Sequence, residues 1–232
     1  MDKYVLIVAG GKGLRMSGDL PKQFIPMRGK PLLMHTLEAF HRWDASARII
    51  LVLPEDHQPY WNMLCKEIGC KVPHAIVKGG DTRFFSVKNG LDWLLAERHR
   101  KGEEDSGLSL VAVHDGVRPF VSPEVVEACF DKAAVTGAVI PVVPMIDSLR
   151  ETDGKGSHPV DRSRYMAVQT PQVFHLELLT KAYEQPYSSL FTDDASVVEA
   201  MGHAIDTVPG DRENIKITTP FDLLIAEAMF AR

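Results

Sequence analysis

The sequence predicts an α/β protein built on a doubly wound, mostly parallel sheet, with a β-arm that projects from it. Short, continuous apolar runs are typical of strands buried on both faces, and the first such run is residues 4–8. Helical patterns alternate with these runs, which indicates right-handed βαβ units. A polar stretch at about residues 145–166 then breaks the alternation.

The individual elements are predicted from apolar spacing and from residues that start helices. Continuous apolar runs predict strands at residues 4–8, 48–53, 75–78, 108–114 and 138–143, and edge strands at 204–208 and 214–218. Apolar residues at helical spacing predict helices over 32–40, 56–68 and 175–183 and after the glycine turn at 79–81. Further helices are predicted after the cap-forming residues Ser122, Thr192-Asp193-Asp194 and Thr219.

Composition limits the classes to which the chain can belong. With 232 residues, 45% of them hydrophobic and 25% charged, it can form one globular domain over residues 1–232. The net charge of −5 argues against bulk nucleic-acid binding, which needs a basic surface. No apolar run reaches membrane-spanning length, and the early first strand leaves no room for a signal peptide. We therefore expect a cytoplasmic protein that binds neither nucleic acid nor membrane.

A glycine-rich loop follows the first strand. The glycines of residues 9–13 let backbone N–H groups approach an anion closely, and Arg15 and Lys22 follow within reach of a polyphosphate. The loop lacks Walker A spacing, and Met16 stands where a dinucleotide fingerprint has a third small residue. A phosphate-binding loop is the favoured interpretation, and a plain strand–helix turn is the alternative.

A second polar turn, residues 115–119, follows the strand at 108–114. Doubly wound sheets bind ligands at the carboxyl ends of their strands, so this turn and residues 9–15 are expected at one site. Asp115 and Arg118 are its charged residues, and His114 precedes them. The alternative is that Asp115 and Arg118 only pair with each other or cap a helix.

The stretch at 145–166 contains a hairpin turn signal, Asp153-Gly154-Lys155-Gly156, between two polar segments. Because these segments are too polar for central strands, we expect a β-arm. An isolated hairpin is unstable in water, so the arm needs a surface to pack on, most simply a second copy of the chain.

The remaining charged residues favour phosphoryl or nucleotidyl transfer. The chain has no GxSxG motif, no catalytic cysteine motif and no metal-site spacing of histidine or cysteine. Glycine backbone, basic side chains and a few carboxylates instead suit catalysis by positioning and charge stabilisation. Such a reaction needs a divalent cation, usually Mg²⁺. We expect the nucleotide phosphates to hold most of it, with Asp115 as a possible protein ligand.

Several motifs together resemble one enzyme family. In chain order they are AGGKGLRM followed by PKQF, then GGDTRFFSV, HDGVRPFV, VDRS with QTPQ, TDDASVVE and NIKITTPFDL. From about residue 4 to residue 231, the sequence is similar to the 2-C-methyl-D-erythritol 4-phosphate cytidylyltransferases. The resemblance implies a nucleotide-diphospho-sugar transferase-like fold and a homodimer joined by its β-arms. It also implies Mg²⁺-dependent transfer of CMP from CTP to the polyol phosphate, with release of pyrophosphate, in non-mevalonate isoprenoid precursor synthesis.

Matched position by position, the resemblance implies roles for individual residues. It implies nucleotide binding by Ala9, Gly10, Gly11, Gly13, Gly80, Asp81, Ser86, Asp115 and Gly116. It implies acceptor binding by Asp115, Arg118, Ser148, Arg162, Thr170, Thr192 and Lys216. Arg15 and Lys22 match transition-state stabilisers, and Arg162 and Lys216 match residues that hold the attacking phosphate in line. Because Ser148 and Arg162 lie on the arm, they are expected to serve the partner subunit's site.

Some positions depart from the family pattern and leave the acceptor open. The family commonly has Pro-Ala-Ala-Gly at residues 8–11, His-Asp-Ala-Ala-Arg-Pro at 114–119 and Thr at Ser148. The variants at residues 8–11 and 114–119 resemble the sister family, ribitol-5-phosphate cytidylyltransferase. The VDRS motif at 160–163 and the TDDAS motif at 192–196 are more similar to the methylerythritol enzyme. We therefore expect methylerythritol phosphate as the acceptor, with ribitol 5-phosphate as the alternative.

Two hypotheses come from other classes. A nicotinamide-dependent oxidoreductase needs an acidic residue at the end of the second strand, about 20 residues beyond its glycine loop. Asp44 precedes that strand and Glu55 comes after it has ended, so the fit is poor. A non-catalytic nucleotide-binding relative would not need Arg15, Lys22 and Lys216 to converge on one phosphate.

Overall fold

A computed structural model describes residues 1–10, 20–103 and 107–231 of the chain. Within these ranges there are twelve strands: β1 (Asp2–Val8), β2 (Pro26–Met27), β3 (Lys30–Pro31), β4 (Arg48–Leu53), β5 (His74–Lys78), β6 (Ser109–Asp115), β7 (Ala138–Pro144), β8 (Leu149–Thr152), β9 (Ser157–Val160), β10 (Met166–Val168), β11 (Gln172–His175) and β12 (Asp206–Pro209). The α-helices in the same ranges are α1 (Leu32–Trp43), α2 (Gln58–Ile68), α3 (Arg83–Lys101), α4 (Pro123–Thr136), α5 (Leu176–Ala182), α6 (Asp194–Glu199) and α7 (Pro220–Phe230).

Eight strands form one twisted layer at the centre of the fold. Seven of them follow the order β10-β7-β11-β6-β1-β4-β5, and β12 pairs with β7 outside that path. β1 lies parallel to both β4 and β6, β4 lies parallel to β5, and β7 lies parallel to β12. β10 and β11 run antiparallel to their neighbours. The predicted mostly parallel sheet is confirmed.

Helices cover both faces of this sheet, as a doubly wound fold requires. The side chains of β1 alternate between the two cores. Tyr4 and Leu6 belong to the core that contains residues of α3, α5 and α6. Val5 and Ile7 belong to the core that contains residues of α1, α2 and α4. Because all four residues are fully buried, the strand reads in sequence as a continuous apolar run.

Helix starts follow the predicted chemistry. Ser122 caps α4 by accepting from the N–H of Val125, and Thr219 caps α7 by accepting from the N–H of Asp222. Asp193 caps α6 and forms a capping box with Ser196. None of the helices in the described ranges has both the length and the apolar character needed to cross a membrane.

The hairpin of β8 and β9 forms a separate two-stranded sheet, as predicted for a projecting arm. Leu149 pairs with Val160 and Thr152 with Ser157. At the turn, Oδ1 of Asp153 accepts from two backbone N–H groups, at 2.9 and 3.0 Å. Six of the eight strand residues are exposed, so one protomer alone does not cover the arm.

Three details of the sequence prediction need correction. Residues 214–218 are not a strand: the N–H of Thr218 is bonded to the side chain of Asp222 rather than to a neighbouring strand. β11 is a real strand that the apolar pattern did not reveal, because it has four residues and runs directly into α5. Met166 belongs to β10 of the main sheet, so the arm ends before it.

Candidate active site

A cleft of about 780 Å³ opens at the edge of the sheet where the parallel strands end. Segments that follow β1, β4, β5 and β6 line it, together with the turn that carries Lys22 and the C-terminal segment that carries Lys216. Eight residues named by the resemblance lie in its wall: Ala9, Gly10, Lys22, Gly80, Asp81, Ser86, Asp115 and Lys216. This is where doubly wound sheets bind ligands. Of the two predicted turns, Ala9 and Gly10 of the first and Asp115 and Val117 of the second meet there.

The loop after β5 passes too close to α3 for a side chain at Gly80. A Cβ atom there would lie 2.4 Å from Cβ of Phe85. The N–H of Gly80 donates to Oγ of Ser86 at 3.1 Å, and Ser86 donates to the carbonyl oxygen of Thr82 at 2.9 Å. Thr82 in turn caps α3. These contacts fix the loop and place Asp81 in the cleft wall.

Asp115, the last residue of β6, has three cations around its carboxylate. Nζ of Lys216 lies 3.0 Å from Oδ2, and Nε of Arg118 lies 3.2 Å from the same oxygen. Nε of Arg83 lies 3.9 Å from Oδ1. Burial alone would raise the pKa of Asp115, but Lys216, Arg83 and Arg118 outweigh it and hold that pKa well below its usual range. The carboxylate is therefore ionised at neutral pH and orients Lys216 in the cleft.

Thr170 and His114 support Asp115 from within the protein. Oγ1 of Thr170 accepts from the N–H of Asp115 at 3.1 Å and lies 3.0 Å from Nδ1 of His114. Nε2 of His114 lies 3.1 Å from the carbonyl oxygen of Arg118. Since a carbonyl oxygen only accepts, Nε2 carries the ring proton and Thr170 donates to Nδ1. Burial lowers the pKa of His114 to about 4, which keeps the ring neutral. The hydroxyl proton of Thr170 is thus donated to His114.

Arg83, the first residue of α3, connects the end of the Gly80 loop to the start of α6. Its guanidinium donates to both carboxylate oxygens of Asp194, at 2.7 and 2.6 Å. The hydroxyl of Tyr183 donates to the same carboxylate at 2.6 Å. Asp194 is fully buried. A bidentate pair of this kind fixes both the distance and the relative orientation of the guanidinium and the carboxylate. Gly80 and Thr192, which flank this pair in sequence, are thereby held on adjoining loops.

Asn214 connects Thr170 and Arg118, two of the residues predicted to bind the acceptor. Its side-chain nitrogen donates to the carbonyl oxygen of Thr170 at 2.8 Å. Its own carbonyl oxygen accepts from the guanidinium of Arg118 at 2.7 Å. Asn214 is fully buried and lies two residues before Lys216. It therefore fixes the C-terminal segment beside Asp115.

Other predicted residues do not line the cleft of a single protomer. Gly116 lies behind the wall, where a Cβ atom would be 2.8 Å from Cβ of Ala9. Thr192 is exposed just before the cap of α6. Ser148 and Arg162 lie at the arm and are exposed, and Arg162 donates to the carbonyl oxygen of Ile146.

The glycine loop itself lies outside the described residues. This applies to Gly11, Gly13 and Arg15. Their expected contact with nucleotide phosphates stays a prediction from sequence.

Sequence reasoning missed Gln23, Arg83 and Asn214. Each lies inside a quoted motif, namely PKQF, GGDTRFFSV or NIKITTPFDL. Gln23 and Asn214 are buried, and Arg83 is paired with a buried carboxylate. The pattern of letters could not reveal those partners, because they come from distant parts of the chain.

The carboxylates of the cleft fit a cation held mainly by a ligand. Within the described ranges, no three His, Cys, Asp or Glu side chains come together to hold a metal ion. Asp81 and Asp115 lie in the cleft wall, and Asp115 is already paired with Lys216 and Arg118. Mg²⁺ commonly binds through one or two protein carboxylates plus substrate phosphates, a mode that this donor set allows.

Comparison with known proteins decides the family. The family profile described as IspD, 2-C-methyl-D-erythritol 4-phosphate cytidylyltransferase, matches residues 4–232. The chain belongs to this family. A 2-C-methyl-D-erythritol 4-phosphate cytidylyltransferase of Bacteroides fragilis is 55% identical over 229 residues, covering 99% of this chain and 100% of the relative.

Solved structures of IspD proteins have the same architecture. The crystal structure of 2-C-methyl-D-erythritol 4-phosphate cytidylyltransferase from Thermus thermophilus is 32% identical, covers 100% of both chains and has a TM-score of 0.74. The 4-diphosphocytidyl-2C-methyl-D-erythritol synthase from Anaerococcus prevotii is 28% identical, with a TM-score of 0.79, and covers 100% of this chain and 96% of the other. The IspD fold is therefore shared along the whole chain, which confirms the resemblance read from the motifs.

Proposed function

We propose that this protein transfers CMP from CTP to 2-C-methyl-D-erythritol 4-phosphate, giving 4-diphosphocytidyl-2-C-methyl-D-erythritol and pyrophosphate in isoprenoid precursor synthesis. The observation that carries the proposal is a single cleft. It is lined by Lys22, by the Asp115–Lys216 pair and by the loop of Gly80 and Asp81. The family supports cytidylyl transfer as the class of reaction.

The nucleotide is proposed to lie against the loop after β5. The close packing of Gly80 leaves its backbone as the surface that a base can approach, and Asp81 offers carboxylate acceptors beside it. Ser86 is buried, and its hydroxyl bonds Thr82 and Gly80, so it shapes the loop. Ala9 and Gly10 form the neighbouring wall at the end of β1.

The transfer forms one bond and breaks one bond at the α-phosphorus of CTP. A phosphate oxygen of the acceptor attacks that atom, the bond to the β-phosphate oxygen breaks, and pyrophosphate leaves with the electron pair. The attacking oxygen is already anionic, so the reaction needs no general base. Lys22 and Arg15 are proposed to stabilise the charge that develops on the α-phosphate. Lys216, oriented by Asp115, is proposed to hold the acceptor phosphate in line.

A divalent cation, most simply Mg²⁺, is proposed as the cofactor. When bound, it would neutralise the oxygens of the triphosphate and so favour departure of pyrophosphate. Asp115 is the candidate protein ligand, and the phosphates would supply most of the donors.

The arm is proposed to join two copies of the chain in the cytoplasm. Arg162 and Ser148 are not among the described residues that line the cleft of their own protomer, so an arm that crosses to another copy would bring them to its site. A symmetric dimer would supply two arms and two shared sites. The partner's Arg162 would then stand opposite Lys216 on the acceptor phosphate.

The deciding experiment supplies purified protein with CTP, Mg²⁺ and each of two acceptors and measures pyrophosphate. We expect release with methylerythritol phosphate and much slower release with ribitol 5-phosphate. Faster turnover with ribitol 5-phosphate would show that ribitol 5-phosphate is the acceptor instead. CTP binding without pyrophosphate release under either condition would indicate a non-catalytic relative.

A further inference from the structure

Gln23 connects the Lys22 turn to two other parts of the cleft. It lies on the short 3₁₀ turn Lys22–Phe24 and is 1% exposed. Its side-chain nitrogen donates to the carbonyl oxygen of Ala9 at 3.0 Å and lies 3.2 Å from Nδ1 of His57. This amide nitrogen therefore faces two partners, one after β1 and one before α2.

These contacts assign roles to the two ring nitrogens of His57. The Ala9 carbonyl only accepts, so the amide of Gln23 presents its nitrogen to both partners. A nitrogen that donates requires an acceptor, so Nδ1 of His57 carries no proton and Nε2 carries the ring proton. The histidine therefore accepts the second hydrogen bond of the Gln23 side-chain nitrogen.

The ring of His57 also packs on the residue that follows Gln23. Its centroid lies 5.6 Å from that of Phe24, edge-on at 71°. Phe24 makes a further edge contact with Tyr60 of α2 at 5.2 Å and lies parallel to Trp61. Both residues after Lys22 are thus fixed against the start of α2, and His57 touches each of them.

We propose that His57 is a positioning residue that holds the Lys22 turn in the orientation needed at the cleft. His57 and Lys22 both line this cleft, and no motif assigned His57 a role. The lysine side chain is long and flexible, so a fixed backbone narrows the region that its ammonium group can reach. A productive site tolerates only about 0.5 Å of error. This inference rests on the proposed function, because it deepens the role of Lys22.

The test compares His57→Phe with His57→Asn. Phenylalanine keeps a ring against Phe24 but offers Gln23 no acceptor, whereas asparagine retains an oxygen close to the position of Nδ1. We expect His57→Phe to lower kcat about 10-fold, the scale of one lost hydrogen bond, with KM for the acceptor unchanged. His57→Asn should recover most of that loss. His41→Phe, in the last turn of α1, is the control and should match wild type.

A double-mutant cycle shows whether His57 acts through Lys22. In a Lys22→Ala background, His57→Phe should cause no further loss of kcat. An equal further loss, unchanged kcat in the single variant, or equal losses for the Phe and Asn variants would overturn the proposal.

A measurement without turnover separates this proposal from the proposed function. Nitrogen-15 spectra of histidine-labelled protein should show Nδ1 of His57 unprotonated in wild type. They should show exchange between tautomers in Gln23→Met, which removes the donor. A protonated Nδ1 in wild type would overturn the inference even if pyrophosphate is released. Absence of pyrophosphate release with the expected spectra would instead reject the function and, with it, the role of Lys22 on which the proposal rests.

Discussion

The ammonium group of Lys216 lies 3.0 Å from Oδ2 of Asp115, at the point where a central strand of the sheet ends. Arg118 binds the same oxygen, so one carboxylate orients two cations that come from different parts of the chain. The placement of both cations at this end of the cleft depends on this carboxylate.

Asp115→Asn should therefore lower both activity and stability. The amide has the same shape, but it leaves Lys216 and Arg118 without a charge partner. Arg118 and Asp115 are both largely buried, whereas Lys216 is 43% exposed, so we expect the Arg118 pair to supply most of a loss on the order of 3 kcal/mol in the free energy of unfolding. We expect kcat to fall by about 10²-fold as well. Urea unfolding and pyrophosphate release measure the two effects, and wild-type kcat in this variant would show that Lys216 is positioned without Asp115.

Lys22→Ala should lower kcat with little change in the KM for CTP. If Lys22 stabilises charge that appears only in the transition state, removing it costs about 10²–10³-fold in kcat. Steady-state kinetics with varied CTP distinguish this from ground-state binding. A raised KM with kcat intact would assign Lys22 to binding of the nucleotide alone.

Mixing two inactive variants tests the shared site. Arg162→Ala protein and Lys22→Ala protein should each be nearly inactive. In a mixed dimer, one site has both wild-type residues, so activity should partly return after subunit exchange.

The control for this mixture is a tagged wild-type pair that demonstrates exchange under the same conditions. Exchange without recovery of activity would place Arg162 in the site of its own subunit. A monomer in solution would remove the arm's proposed role as well.

Lowering the pH should destabilise the folded protein over the range in which His114 is protonated only in the unfolded chain. Burial holds the pKa of His114 at about 4, against 6.5 for an ordinary histidine. Between these values the unfolded chain binds a proton that the folded chain does not, so the free energy of unfolding falls as pH falls from 6.5 to 4. The loss from this group is about 3 kcal/mol in total. His35 and His74, whose pKa values burial also lowers, add to the slope with the same sign.

Urea titrations at several pH values, on wild type and on His114→Asn, isolate the contribution of His114. The variant should be less stable at pH 7 and should show a shallower dependence on pH. Equal slopes for the two proteins would mean that His114 is protonated in the folded state.

Gly80→Ala should disturb the loop between β5 and α3. The added methyl group would lie 2.4 Å from Cβ of Phe85, a distance that the start of α3 can relieve only by moving. We expect a lower Tm and a higher KM for CTP. Gly156→Ala is the control, since nothing in the same protomer lies within 4 Å of a Cβ atom there. If both variants have wild-type Tm, the loop is not as closely packed as the structure indicates.

The central strands could be predicted because burial on both faces requires a continuous apolar run, which is visible in the local sequence. β1 and β6 read as continuous apolar runs, and each ends at a polar turn. The helix caps at Ser122 and Thr219 are equally local, since the capping bond joins residues three apart. β11 was missed because it is short and antiparallel, and its position between β6 and β7 depends on partners far away in sequence.

The sequence by itself determined the central parallel strands, most of the helices between them, the arm, the family and the set of motif residues, because these depend on neighbours along the chain. Only the tertiary structure decided what those residues touch. It paired Arg83 with Asp194, 111 positions away, and committed the hydroxyl of Thr170 to His114, 56 positions away. It also set His57, which no motif marked, beside Gln23. A hydrogen bond depends on distance and direction in space, and folding brings together donors and acceptors whose separation in sequence gives no sign of either.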